Sequence, residues 1–226
     1  MSATPIPRTL SLILYGDMDI SVIDEMPAGR KPIKTHFVKP GKVDEMHDFI
    51  ESKMVEGRQV YVICPLIEAS ETLDLNAAQT LYETLCHRFN RHTVGLIHGK
   101  MNAQSKEEAM SAFKQGKIQL LVSTTVIEVG IHVSNATIMV IMNTERFGLS
   151  QLHQLRGRVG RGDEQSYCFL LSDKLSKTAK MRVETLVASN NGFEVAEKDL
   201  ELRGPGEVFG LRQHGIPELK LANLSK

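Results

Sequence analysis

Apolar positions change their spacing several times along the chain. Val43, Met46, Phe49, Ile50 and Met54 recur at helical intervals, which predicts an amphipathic helix over residues 43–56 ended by Gly57. Gln59–Cys64 is a short apolar run closed by Pro65, the pattern of a strand buried on both faces of a parallel sheet. Ala77, Leu81, Leu85 and Phe89 stand four apart and predict a helix over 76–90. A strand at 94–97, a helix at 105–115 closed by Gly116, and strands at 118–122 and 137–142 follow. A helix at 150–159 and a strand at 167–171 complete the pattern, and residues 34–38 read as an earlier strand. Strands alternating with helices of about 10–15 residues imply an α/β domain with a central parallel sheet flanked by helices.

The two ends read differently. Pro5 and Pro7 exclude a regular helix at the start, and Gly16-Asp17 and Pro27-Ala28-Gly29 mark turns, so residues 1–40 read as a connector. The abrupt beginning suggests a piece of something longer. Residues 174–188 and 193–202 are predicted as a pair of helices, broken by Arg203-Gly204-Pro205-Gly206 and followed by a glycine-spaced tail. Three regions are therefore expected: 1–40, 41–173 and 174–226.

Composition narrows the class. Of 226 residues, 42% are hydrophobic and 24% charged, and the net charge is zero, so nucleic acid could be held only by local basic patches. Three scattered cysteines without a C-x-x-C pair point to a reducing compartment rather than a disulfide framework or a zinc site. No apolar run approaches the roughly 20 residues that span a bilayer, and no signal peptide is visible.

The candidate chemistry centres on Gln154-Leu155-Arg156-Gly157-Arg158-Val159-Gly160-Arg161-Gly162, with three arginines and three glycines in nine residues. Glycines permit turns and close approach, and guanidiniums match phosphate oxygens. On a continuing helix, Arg158 and Arg161 would share a face. Taken alone, the stretch suits a solvated basic turn as well as a polyphosphate whose charge grows in a transition state. Ser123-Thr124-Thr125-Val126-Ile127-Glu128-Val129-Gly130 follows a strand. There, hydroxyls and amides suit a sugar-phosphate backbone or a plain helix cap, and Glu128 suits the ordering of neighbouring arginines. His98-Gly99-Lys100 resembles a phosphate loop but lacks its spacing and the following Ser or Thr; it suits a nucleic-acid phosphate instead. No G-x-x-x-x-G-K-[ST] element occurs anywhere, and no acidic strand end of the D-E-x-H type is obvious, so the half of a site that grips a nucleotide and magnesium is missing. Residues 193–206 read as a surface helix with a Glu194–Lys198 pair, then a polar loop.

Together these motifs resemble superfamily 2 helicases. Ser2-Ala3-Thr4 is similar to motif III, Thr124–Gly130 to motif V, and the Q-x-x-G-R-x-G-R of Gln154–Arg161 to motif VI. Across Ser2 to the end, the chain resembles the C-terminal part of the RecG family of bacterial DNA branch-migration helicases. The most specific segments are Thr4–Leu10, Leu14–Asp17 and Ala196–Gly206. The transcription-repair coupling translocase Mfd shares the Pro-Ile-Pro-Arg and arginine motifs but departs at the last segment. The RecG resemblance implies the RecA-like second lobe of a two-lobed motor with ATP in the cleft, plus a C-terminal helical hairpin and loop. Arg158 and Arg161 become arginine fingers, supported by Gln154, with Glu128 and Gly130 also on the nucleotide side. Thr124, Thr125, His98 and Gly99 touch nucleic acid or couple it to the motor. Arg203 and Gln213 turn lobe closure into movement on duplex DNA. ATP and Mg2+ would be held mainly by a first lobe that the chain does not contain. The partners implied are branched double-stranded DNA, that lobe and an N-terminal wedge domain, in the bacterial cytoplasm and without membrane contact. Where the family has Gly-Val-Asp-Val-Pro-Asn, this chain has Gly130-Ile131-His132-Val133-Ser134-Asn135, a change that removes a carboxylate and bears on ATPase coupling. The different-class alternative is a non-catalytic DNA- or protein-binding module that kept only the fold.

Overall fold

The computed structural model describes residues 31–65, 71–124 and 133–203, with backbone alone for 71–74 and 203. Six strands, β1 Lys34–Val38, β2 Gln59–Ile63, β3 Val94–Ile97, β4 Leu120–Ser123, β5 Ala136–Ile141 and β6 Tyr167–Leu171, form one sheet in the order β1-β6-β5-β2-β4-β3. Every pairing is parallel. Among the described residues six α-helices accompany them: α1 Val43–Val55, α2 Glu71–Arg88, α3 Ala103–Lys114, α4 Leu149–Arg156, α5 Lys177–Ala188 and α6 Gly192–Arg203.

Strand side chains alternate between two cores, which explains the continuous apolar runs in the sequence. Tyr61, Ile63, Met139, Ile141, Cys168 and Leu170 face one side, where α3, α4, α5 and α6 supply Phe113, Leu152, Leu155, Val183, Leu186 and Val195. Val60, Val62, Ile138, Val140, Phe169 and Leu171 face the other, covered by Met46, Ile50 and Met54 of α1, by Leu85 of α2 and by Phe89 just beyond it. The amino edge of the sheet is tied by a buried amide. Gln59 Nε2 donates to the carbonyls of Phe113 (2.5 Å) and Ile118 (2.8 Å), and Gln59 Oε1 accepts from Asn135 Nδ2 at 3.3 Å. Among the described residues no helix is long and apolar enough to cross a membrane.

Element boundaries shift for local reasons. Helix α2 starts at Glu71 rather than 76, since no Gly or Pro separates the two positions. Helix α3 starts at Ala103 rather than 105, because Asn102 caps it: its side chain accepts from the Ser105 N–H at 2.7 Å. Ser176 caps α5 in the same way, through the Ala179 N–H at 3.2 Å, so that helix begins at 177 rather than 174. Strand β1, expected within the connector, pairs with β6 as an edge of the sheet. The larger correction concerns the helix predicted over 150–159. It ends at Arg156, so Arg158 and Arg161 do not share a helical face. Gly160 takes φ +76°, a left-handed backbone that turns the chain away from the helix axis.

Candidate functional site

Helix α4 leaves the carboxyl end of β5 and crosses back toward the amino end of β6. Its start is closed by the Gln151 side chain, whose Oε1 accepts from the Gly148 N–H at 2.8 Å. Beyond its last residue, the turn 157–162 lies at the amino edge of the sheet. A methyl at Gly162 would come within 3.3 Å of the Ser134 carbonyl, and one at Gly160 within 2.8 Å of Ile33 Cγ1. The turn is therefore pressed between the residues leading into β5 and those leading into β1. Arg158 is half-buried and Arg161 exposed, its Nε donating to the Gly157 carbonyl at 3.4 Å. Gln154 is exposed on the last turn of α4. Both guanidiniums reach the field of the buried Tyr61 phenol. Burial pushes its pKa up to about 12, and Arg158 and Arg161 oppose that rise. Arg58 pairs with Glu164 nearby at 2.7 Å, and neither Arg158 nor Arg161 is ion-paired among the described residues. Two guanidiniums without a carboxylate partner among the described residues, on one turn, fit an anion. Among the described residues no three His, Cys, Asp or Glu side chains converge as they would on a metal.

The third arginine of the stretch behaves differently. Arg156 is 2% exposed, and its Nη1 donates to the carbonyls of Leu186 (2.6 Å) and Ser189 (2.8 Å), with Thr35 Oγ1 at 3.4 Å. Its Nη2 lies 3.0 Å from His153 Nδ1. Burial, then the charge of Arg156, hold His153 down to about 4, so its ring is neutral at pH 7 and Nδ1 accepts. Sequence reasoning grouped Arg156 with its neighbours. No local signal separates them, because the carbonyls it serves lie 30 and 33 residues away.

The residues expected to touch nucleic acid sit at the opposite, carboxyl edge. The register that pairs Ile97 with Ser123 brings the ends of β3 and β4 together, and the buried Thr124 donates its N–H to the Ile97 carbonyl at 3.1 Å. His98 follows, half-buried, with Nδ1 meeting no hydrogen-bond partner among the described residues. Burial lowers its pKa, and Lys106 and Lys100 add to the effect. Gly99 is exposed, and its carbonyl accepts from Lys106 Nζ at 3.0 Å. The expected residues thus occupy two edges rather than one cluster, about a strand's length apart, roughly 15 Å. Residues 124 and 133 stand at the two edges, and the chain between them carries Thr125, Glu128, Gly130 and His132, which lie outside the described residues. The motif III segment 2–4, the segments Thr4–Leu10 and Leu14–Asp17, and Gln213 also lie outside them; Arg203 closes α6 and its side chain is not described.

Helices α5 and α6 dock on α4. The Ser150 hydroxyl, in the first turn of α4, donates to the buried Asp199 Oδ2 of α6 at 2.7 Å, which places a carboxylate near a helix amino end. The expected Glu194–Lys198 pair does not form. Glu194 accepts from the Ser189 hydroxyl, and Lys198 pairs with Glu201 at 2.6 Å.

Known proteins match this arrangement. Residues 41–163 match the helicase conserved C-terminal domain family, and residues 189–226 match the C-terminal part of domain 3 of the ATP-dependent DNA helicase RecG. The chain is 54% identical over 99% of its length to the ATP-dependent DNA helicase RecG of Bacillus subtilis, of which it covers 33%. It is 51% identical over the same share to that of Synechocystis, covering 27%. A structure of RecG bound to a three-way DNA junction superposes with a TM-score of 0.78 at 45% identity, over 96% of this chain and 28% of that one. The chain thus spans about a third of the length of the curated relatives it matches.

Proposed function

We propose, on the premise that the chain belongs to the helicase conserved C-terminal domain family, that it forms the second motor lobe and translocation element of an ATP-dependent DNA helicase acting on branched DNA. The observation that carries this reading is the placement of the arginine turn. It lies against residues 133–135 at one edge of the sheet, while Thr124, at the other end of the same short segment, lies beside His98 at the opposite edge. A nucleotide-facing turn and a nucleic-acid-facing edge are thereby joined by one stretch of chain. In this reading Arg158 and Arg161 set fixed positive charge against the γ-phosphate, with Gln154 supporting them. Glu128 and Gly130 complete the nucleotide side of that stretch. Thr124, Thr125, His98 and Gly99 meet the sugar-phosphate backbone. Arg158 and Arg161 would stabilise the γ-phosphoryl as water cleaves the β,γ-phosphoanhydride of bound ATP to ADP and phosphate, and ATP and Mg2+ would be held mainly by a first lobe outside this chain.

The helical pair and the residues after it, 174–226, would turn closure into movement, with Arg203 and Gln213 on the duplex. Residues 41–173, completed by β1, would make the lobe, and the rest of residues 1–40 would serve as the connector between lobes. Branched DNA is favoured by the junction bound to the RecG neighbour. The match of residues 189–226 to the RecG model favours this reading over the lobe of a transcription-repair coupling translocase. The bacterial relatives favour a cytoplasmic setting.

The test replaces the C-terminal third of the Bacillus subtilis relative with this chain. Arg158→Ala should lower DNA-stimulated ATP turnover by about 10³-fold while nucleotide affinity changes little. Unchanged turnover would refute the finger assignment.

A further inference from the structure

We infer that Arg156 is a positioning residue that makes α4 and the helical pair α5–α6 move as one body, and that without it the pair pivots instead of following the arginine turn. The inference rests on the motor-lobe reading above. Helix α4 is held by the pair at both ends. At its amino end the grip is Ser150 Oγ to Asp199 Oδ2 at 2.7 Å. At its carboxyl end the grip is Arg156 Nη1 to the carbonyls of Leu186 and Ser189 at 2.6 and 2.8 Å. The three helices also share the apolar core of Leu152, Leu155, Val183, Leu186 and Val195, and Arg182 Nη1 donates to the Phe147 carbonyl at 3.4 Å near the amino end of α4. Apolar contacts allow sliding; polar attachments at both ends, about 10 Å apart, fix the rotation that the amino-end ones alone leave free.

The carboxyl-end grip has a chemical reason. The last carbonyls of any α-helix lack partners within it, and a cation there is favoured by the helix dipole. Helix α5 has no basic residue in its own last turn. The Arg156 guanidinium, brought in by α4, takes that place at the corner where α5 turns into α6. His153 Nδ1 meets the other amino group, Nη2, and Thr35 Oγ1 lies 3.4 Å from Nη1, so both amino groups of the planar fork are held. Arg156 stands two residues before Arg158. Any displacement of the arginine turn on a phosphate therefore reaches the corner through the last turn of α4 and the hydrogen bonds of a planar group, not through a flexible side chain.

The experiment uses the same chimera with the Bacillus subtilis relative and reads ATP turnover and junction unwinding side by side. Arg156→Gln removes the charge; Arg156→Lys retains it and reaches fewer carbonyls, which keeps the test informative if the first variant folds poorly. The expected result for both is turnover within about threefold of the parent and unwinding per ATP reduced about tenfold or more. His153→Leu, which removes the acceptor for Nη2, should lower the same ratio in part, and His153→Asn, whose Oδ1 stands where Nδ1 does, should restore it. In this chain alone, hydrogen exchange at residues 186–195 should speed up in Arg156→Lys while β2 and β4 keep their rates. Equal loss of turnover and unwinding, an unchanged ratio, or unchanged exchange at the corner overturns the inference. A parent chimera that binds nucleotide but shows no DNA-stimulated turnover overturns the motor-lobe reading itself, and the inference with it.

Discussion

His153 shows how much a single side chain can carry in this lobe. Its pKa lies near 4 in the folded protein against 6.5 for a free imidazole, because burial and the Arg156 charge both disfavour a second cation. As pH falls through 6.5, the unfolded chain takes up a proton that the folded chain refuses, so stability drops. The loss stops near pH 4, where the folded ring is protonated as well. With the ring still in partial contact with solvent, the expected cost between pH 7 and pH 5 is about 1 kcal/mol. Urea midpoints at the two pH values check this, and His153→Asn should lose that part of the acid sensitivity. His47 and His98 are shifted in the same direction, so the difference between parent and variant is the quantity to read. At this scale the sequence was legible only in residue type. Arg158 and Arg161 were picked out by spacing within a motif. Arg156, of the same type in the same stretch, was not separable from them, because its burial depends on Thr35, 121 residues away, and on the α5–α6 corner.

Among elements, the arginine turn departs furthest from its sequence pattern. Apolar Leu152, Leu155 and Val159 continue at helical spacing and are all buried, yet the helix stops at Arg156. Val159 enters the core from a turn, so periodicity alone overran the boundary by three residues. Gly160 enforces the departure. Gly160→Ala would put a Cβ on a φ of +76° and 2.8 Å from Ile33 Cγ1. The expected cost is about 1–3 kcal/mol, read as a lowered urea midpoint with an unchanged slope. The strands were the most legible elements, since burial on both faces writes itself as an unbroken apolar run. The starts of α3 and α5 were less so, because Asn102 and Ser176 act through their side chains before any apolar period begins.

For the whole molecule, the sheet separates two tasks by its own depth. Arg158 and Arg161 lie at the amino edge and the His98–Thr124 cluster at the carboxyl edge, so under the proposed function a change at one should leave the other's ground-state binding intact. In the chimera, Lys100→Ala should reduce the slope of log affinity for duplex DNA against log salt by about 0.9, the release of one phosphate contact, while nucleotide affinity stays constant. A slope that does not move would remove Lys100 from the contact surface. The sheet also sets a schedule. Among the described residues, strand β1 pairs with β6 alone, the last of the described strands in sequence, although β1 is the first of them to be made. A ribosome adding about 5–20 residues per second leaves that strand without its partner for on the order of ten seconds. During that interval its hydrogen-bonding edge and its apolar side chains are open to whatever is nearby. Of the described strands β1 waits longest for its partner, and a synonymous-codon pause placed before β6 would lengthen the exposure of a segment more than a hundred residues upstream.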